Sequence, residues 1–273
     1  VREGSIGSGT ALVFRSDGHL VTNHHVVAGA EKLTAVTADG RRAAARLVGA
    51  DTATDVAVLK VDGWMGVPAV ALGSAASLQV GQRVVTVGEG QPAWIGEVQG
   101  LGRQLERDGF PTLRDMIETD SPVAPHTSGS AVVDEHGAVV GIATAFGTGE
   151  TGAGFATPID FARSVAEQIL ATGKAVPAWI GVEGTDLDGA LAGQLGADGG
   201  AVVTKIRDGS PAGVAGLQVD DVILTVDGLP VGSMGALRIM LRSHRPGDVV
   251  ILAVVRDTAR RTVRITLVPR PAE

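Results

Sequence analysis

The sequence predicts a mainly β protein of two domains, and three observations carry that prediction. From Ser8 to about Pro158, short β-type runs alternate with Gly- and Asp-rich turns. Pro158–Thr172 then shows helical spacing, and Gly173-Lys174-Ala175-Val176-Pro177 reads as a linker. Beyond the linker, a unit of about 95 residues returns to short strands and turns around one further helix. Length agrees, because 273 residues hold one large domain or two ordinary ones. A 44% hydrophobic content with 39 glycines suits a turn-rich β protein that has a core. Only 3% of residues are aromatic and none is tyrosine, so Val, Leu, Ile and Ala must build that core.

Taken in order, the first domain (residues 1–173) offers Thr10–Phe14 before the turn Ser16-Asp17-Gly18, then Val56–Val61 and Arg83–Val87. Ala131–Val133 follows, with the turn Asp134-Glu135-His136-Gly137 leading into Ala138–Ala143. Many short strands at this spacing predict a sandwich or a barrel. In the helix, Ile159, Phe161, Val165, Ile169 and Leu170 fall near helical spacing, Pro158 suits the first turn and Gly173 the C-terminal cap. After the linker (residues 174–178), the second domain (residues 179–273) offers strands at Trp179–Val182, Gly200–Ile206 and Val222–Val226. A helix at Ser233–Ser243 and strands at Val249–Arg256 and Thr262–Leu267 complete it. There is no internal repeat.

Composition excludes several functions. A net charge of −7 leaves no basic footprint for nucleic acid. With no cysteine there can be no disulfide, thiolate metal site or cysteine nucleophile. Six histidines show no pair at ligand spacing apart from His24-His25, so no metal and no cofactor is expected. No apolar run approaches the roughly 18–20 residues that span a bilayer. The chain starts at Val1 without Met, signal peptide or anchor, and is expected to be a processed or trimmed form.

Three segments, in the order His, Asp, Ser, carry the chemistry: Thr22–Val27, Asp51–Val58, and Thr119–Ser130. Acyl transfer by serine needs a hydroxyl, an imidazole to take its proton and a carboxylate to orient the imidazole. Any chain of this size contains all three residue types, so local context must decide. Asp55 lies immediately before the apolar run Val56–Leu59, where its carboxylate can be buried against an imidazole, whereas Asp51 suits a turn.

Gly7-Ser8-Gly9-Thr10, Asp17–Asn23 and Asp51–Lys60 resemble the trypsin-like protease domain of the HtrA/Deg family, and Asp208–Val226 with Ser233–Arg256 resembles its PDZ domain. The resemblance covers nearly the whole chain in the right order. It implies a chymotrypsin-like double β-barrel (two six-stranded barrels with the active site between them) followed by one PDZ domain, a β-sandwich or barrel with helices. His…Asp…Ser is the chymotrypsin-type chain order. The implied activity is that of a serine endopeptidase degrading unfolded or misfolded proteins, in protein quality control and stress response. The implied setting is extracytoplasmic and bacterial: periplasmic, secreted or membrane-anchored, often as a homotrimer.

Residue by residue, the resemblance implies that His25 is the general base, with His24 a turn residue where the family usually has Asn. It implies Asp55 as the orienting carboxylate and Ser128, eight residues after Asp120, as the nucleophile; Ser130 is then a small residue in a tight turn. The backbone N–H groups of His126 and Ser128 would form the oxyanion hole. Here the chain departs from the family: His126-Thr127-Ser128-Gly129-Ser130-Ala131 stands where Gly-Asn-Ser-Gly-Gly-Pro is typical. If the active geometry needs φ > 0 at His126, its Cβ costs on the order of 1–2 kcal/mol. Loss of one oxyanion donor costs roughly 10²–10³ in kcat. Two readings stay open: a working or switchable protease, and a catalytically impaired protein acting as a PDZ peptide-binding chaperone or scaffold.

Trp94–Arg103 and the polar stretch Gln104–Gly109 match the family's activation loop, or form an ordinary surface loop. Ala143–Gly154 matches the segment lining the substrate pocket. Its small residues (Ala143, Thr144, Ala145, Gly147) predict cleavage after modest apolar side chains, and no acidic residue stands among these four to select Lys or Arg. Asp120 is the nearest carboxylate, expected in the preceding turn. In the PDZ unit, backbone N–H groups around Ile180-Gly181-Val182 would capture a peptide's terminal carboxylate, and the peptide would add as a strand against the helix. Leu237 and Leu241, four apart on one helix face, are either groove or core.

Overall fold

The period-two runs before Pro158 fold as antiparallel strands: β1 (Leu12–Arg15), β2 (His19–Asn23), the one-turn helix α1 (His24–Val27), β3 (Leu33–Val36), β4 (Arg42–Asp51) and β5 (Val56–Val61). After a short 3₁₀ turn come β6 (Arg83–Val87), β7 (Trp94–Leu105), β8 (Leu113–Thr119), β9 (Ala131–Val133), β10 (Val139–Thr144) and β11 (Gly154–Pro158). The fold is that of a computed structural model, which describes residues 8–88, 93–106, 111–121, 127–144 and 154–271. The chain divides into two units, Val1–Ala175 and Val176–Glu273, a break inside the stretch expected to be the linker.

In the first unit, β6 to β11 close a six-stranded barrel in the order β10-β11-β8-β7-β6-β9. The N-terminal strands instead form a five-stranded sheet, β1-β2-β5-β4-β3, where a second six-stranded barrel was expected. The physical reason lies after β5. There Gly66 and Val70 donate to the carbonyls of Ser16 and Val13 beside β1 (2.8 and 3.0 Å), but Gly66 and Pro68 interrupt any regular ladder. A second departure concerns β7, a twelve-residue strand where an irregular loop was one expectation. Its inward positions, Gly96, Val98 and Gly100, alternate with exposed Ile95, Glu97 and Gln99. Glycines on the inner face hid the period of two. Residues 107–110 of that segment lie outside the described residues.

Helix α2 (Ile159–Thr172) is capped by Gly173 in the left-handed conformation, with Pro158 as its N-cap rather than inside its first turn. Ile159, Ala162, Val165, Ala166 and Ile169 on α2 pack with Leu12, Val21, Val56 and Val58 of the sheet and Val139 and Ile142 of the barrel. One apolar cluster thus joins both halves of the unit.

The second unit comprises β12 (Ala178–Trp179), β13 (Val182–Asp186), α3 (Gly189–Leu195), β14 (Ala201–Ile206), α4 (Pro211–Val214), β15 (Val222–Val226) and β16 (Leu229–Pro230). It ends with α5 (Met234–Arg242), β17 (Val249–Arg256), β18 (Ala259–Thr266) and β19 (Val268–Pro269). The sheet order is β13-β14-β15-β17-β18, with β16 paired to β15 and β12 paired to β19. The run expected as one strand, Trp179–Val182, is broken because Gly181 takes φ +86. Helix α3 was not expected, its two glycines masking it. The side chain of Asp188 starts it by accepting from Ala190 N and Leu191 N. Among the described residues no helix is long and apolar enough to cross a membrane.

Candidate active site

Strand pairing brings the first two functional groups together. Antiparallel β2 and β5 set Asn23 opposite Val56 and Thr22 opposite Ala57, so Asp55, one residue before β5, meets the residues just after β2. The His24 N–H donates to the Asp55 carbonyl (2.9 Å). The His25 N–H donates to Asp55 Oδ1 (2.9 Å), and His25 Nδ1 lies 2.7 Å from Asp55 Oδ2. Asp55 is 1% exposed and holds φ 57, a left-handed conformation more tolerable for Asp than for branched residues. Strain of this kind concentrates where a side chain must be aimed.

His25 Nε2 reaches Ser128 Oγ at 3.0 Å. The carboxylate beside Nδ1 requires the proton on that nitrogen, which leaves Nε2 as acceptor for the serine hydroxyl. Ser128 sits in a tight turn between β8 and β9, 1% exposed. The segment ahead of β1 and strand β10 hold that turn: Thr10 N donates to the Ser128 carbonyl (2.8 Å), and Gly129 N to the Ala143 carbonyl (2.9 Å). Thr22 Oγ1 in turn donates to the Thr10 carbonyl (2.6 Å). Gly129 has φ +88, and a Cβ there would lie 1.8 Å from the Thr10 carbonyl oxygen, so both space and backbone demand glycine.

The competing residues have other work. Asp51 Oδ2 accepts from Thr54 N (3.2 Å) and Thr54 Oγ1 (2.6 Å), which makes it a turn former. Asp120 accepts from Glu97 N (2.6 Å) and Gln99 Nε2 (3.3 Å), so its carboxylate ties two barrel strands together. His24 lies in α1 beside His25. Ser130 is fully buried with its Oγ 3.4 Å from Thr10 Oγ1, in space left by Gly88, whose Cβ would come within 2.4 Å of that oxygen. His126 lies outside the described residues, as do Ala145 and Gly147 of the expected pocket segment; Ala143 and Thr144 are buried at the end of β10. No group of three or more potential metal ligands occurs among the described residues. Sequence reasoning singled out neither Thr10 nor Asn23 as a site residue, and named Thr144 only among the small residues of the expected pocket segment. The available signal for Asn23 was an amide closing the apolar and β-branched run Leu20–Thr22 directly before a histidine.

In the second unit, the Ile180 carbonyl accepts from Ala212 N and the Gly181 carbonyl from Arg207 N (both 2.9 Å), which fixes the turn ahead of β13. Ile180 is buried and Val182 half-buried; Leu237 and Leu241 are buried at 0% and 6% exposure. The far end of β13 is fastened to α5, where Asp186 Oδ1 accepts from Met234 N (2.7 Å).

Comparison with known proteins places this geometry. Residues 9–142 match a trypsin-like peptidase domain and residues 178–267 a PDZ domain. A probable periplasmic serine endoprotease, DegP-like, from Ectopseudomonas mendocina is 36% identical over 98% of this chain and 57% of its own length. A similarly named protein from Halomonas elongata is 37% identical over 96% of this chain and 56% of its own. The chain therefore spans little more than half the length of these curated relatives. Among solved structures, the HtrA-type protease AlgW with a decapeptide is 34% identical, covering 97% of this chain and 83% of that one, with a TM-score of 0.59. A serine endoprotease from Yersinia pestis is 28% identical, covering 99% and 92%, with a TM-score of 0.56.

Proposed function

The chain belongs to the HtrA family of trypsin-like proteases that carry a PDZ domain, and from that premise we propose that it is a serine endopeptidase acting on unfolded or misfolded polypeptides. One observation carries the proposal: a single imidazole stands 2.7 Å from a buried carboxylate and 3.0 Å from a serine hydroxyl. Ser128 Oγ attacks the scissile carbonyl while His25 Nε2 takes its proton. Asp55 holds Nδ1–H and stabilises the imidazolium. His25 then protonates the leaving amine, and a water activated by the same nitrogen releases the acyl group. The oxyanion donors of this reading are the backbone N–H of Ser128 and, as the family resemblance implies, that of His126, which lies outside the described residues.

A peptide's C terminus adds beside β13. Its carboxylate is taken by the Ile180-Gly181-Val182 turn, with the α5 side bearing Leu237 and Leu241 opposite. Relatives named periplasmic support an extracytoplasmic setting, and the family resemblance supports a role in quality control and stress response and a homotrimer.

The test is hydrolysis of unfolded β-casein by the chain beside Ser128→Ala, with and without a peptide ending in a hydrophobic residue. Cleavage is expected from the first and a loss on the order of 10⁶ in kcat from the second. No cleavage and no labelling of Ser128 by a phosphonofluoridate, with peptide still bound, would favour the scaffold reading. Recovery in His126→Gly would then place the defect in one backbone amide.

A further inference from the structure

Asp55 is held through its main chain as well as its carboxylate. Its carbonyl accepts from His24 N at 2.9 Å and from Asn23 Nδ2 at 3.4 Å. The same Asn23 amide donates to Thr144 Oγ1 (3.0 Å), at the end of barrel strand β10. Thr144 Oγ1 lies 3.4 Å from Thr157 Oγ1 on β11, and Thr157 Oγ1 donates to the Thr54 carbonyl (3.4 Å), one residue before Asp55. Asn23 must present its NH₂ to the Asp55 carbonyl, so Thr144 accepts from it; the Thr144 hydroxyl in turn donates to the Ile142 carbonyl (3.3 Å), and Thr157 to the Thr54 carbonyl. The result is a buried hydrogen-bond network centred on the Asn23 amide, which donates in two directions within a low dielectric. All four residues are buried: Asn23 at 0% exposure, Thr157 at 1%, Thr144 at 2% and Thr54 at 7%. Asn23 Oδ1 is buried without a hydrogen-bond partner among the described residues, so the amide is present for its donors alone and carries the cost of an unmet acceptor.

We propose that Asn23 and Thr144 are positioning residues. They tie the peptide that follows Asp55 to the barrel that carries Ser128, and so fix the left-handed backbone that aims the carboxylate at His25. The proposal rests on the protease reading and adds to it the link that keeps the His–Asp side in register with the Ser side.

The test uses the full chain with Asn23→Ala, Thr144→Val, their double variant and Thr144→Ser. Asn23→Ala and Thr144→Val are each expected to lower kcat about 10²-fold, the scale of a misplaced catalytic group, with KM unchanged. The double variant is expected to be no worse than the poorer single, because both break one network. Thr144→Ser, which keeps the hydroxyl, is expected to keep the rate. If Asn23→Ala does not fold, the Val and Ser variants at 144 decide alone. The low-field proton resonance of His25 Nδ1–H against Asp55 is expected to move in the damaging variants and to stay in Thr144→Ser. A raised KM with unchanged kcat, losses that multiply in the double variant, or an unmoved resonance would overturn the proposal. If wild type neither cleaves nor takes up the phosphonofluoridate, the protease reading fails separately, and the resonance still tests the link.

Discussion

The two ends of β2 each carry a histidine–aspartate pair, and in both the imidazole Nδ1 lies 2.7 Å from a carboxylate oxygen. The imidazoles are equally shielded, His19 at 16% and His25 at 15% side-chain exposure, but Asp17 is 43% exposed and Asp55 2%. Asp17 sits in the β1–β2 turn and faces water; Asp55 is enclosed, clamped by main-chain donors, and its imidazole has Ser128 on the other side. Distance alone makes a surface clasp. Burial of the carboxylate, with a third group in line, is the arrangement the proposed proton transfer needs. A third carboxylate completes the contrast. Asp221, fully buried, is gripped by Arg256 Nε and Nη2 (both 2.6 Å) and by Gln218 N (2.8 Å). That hydrogen bonding holds the Arg256 guanidinium above its ordinary value. A partner that never releases its proton ties strands together and does no acid–base work.

One substitution, Asp→Asn, separates the three sites. At Asp55 it is expected to cut kcat by about 10⁴, because the amide favours the wrong imidazole tautomer; steady-state kinetics on a fluorogenic peptide measures this. A loss under tenfold there would erase the distinction between the two ends of β2. At Asp221 the same change leaves kcat on a short peptide intact and lowers the melting transition of the second unit by roughly 10 °C, read by calorimetry. At Asp17 the effect is smallest, with kcat within about twofold of wild type. The hydrogen bond from His19, foremost, holds the Asp17 carboxyl below its ordinary value. A carboxyl lowered on folding contributes stability above its unfolded value and loses it as pH falls through the folded one. Any difference in Tm between wild type and Asp17→Asn should therefore show at neutral pH and close in acid.

Much of this was legible in the chain. The apolar run after Asp55, the Asp51 turn, Gly173 ending α2, and the break near residue 175 follow from patterning and local chemistry. What escaped did so for identifiable reasons. The inner face of β7 is built on Gly96 and Gly100, which carry no hydrophobic signal. Gly66 and Pro68 stop a sixth strand from forming beside β1, a tertiary outcome that no local window shows. The left-handed backbone at Asp55 depends on donors from residues 23 to 25 that only strand pairing delivers. Asn23 and Thr144 lie over a hundred positions apart, and their hydrogen bond belongs to the closed fold alone.

The turn around Ser128 also sets the paths open to sequence drift. The family pattern places glycine at both positions after the serine; this chain keeps the first and has serine at the second. At 129 a side chain would drive its Cβ into the Thr10 carbonyl, backbone against backbone, with nowhere to yield. At 130 a hydroxyl fits because Gly88 leaves its volume vacant. Inheritance can therefore wander at 130, in step with 88, and halts at 129.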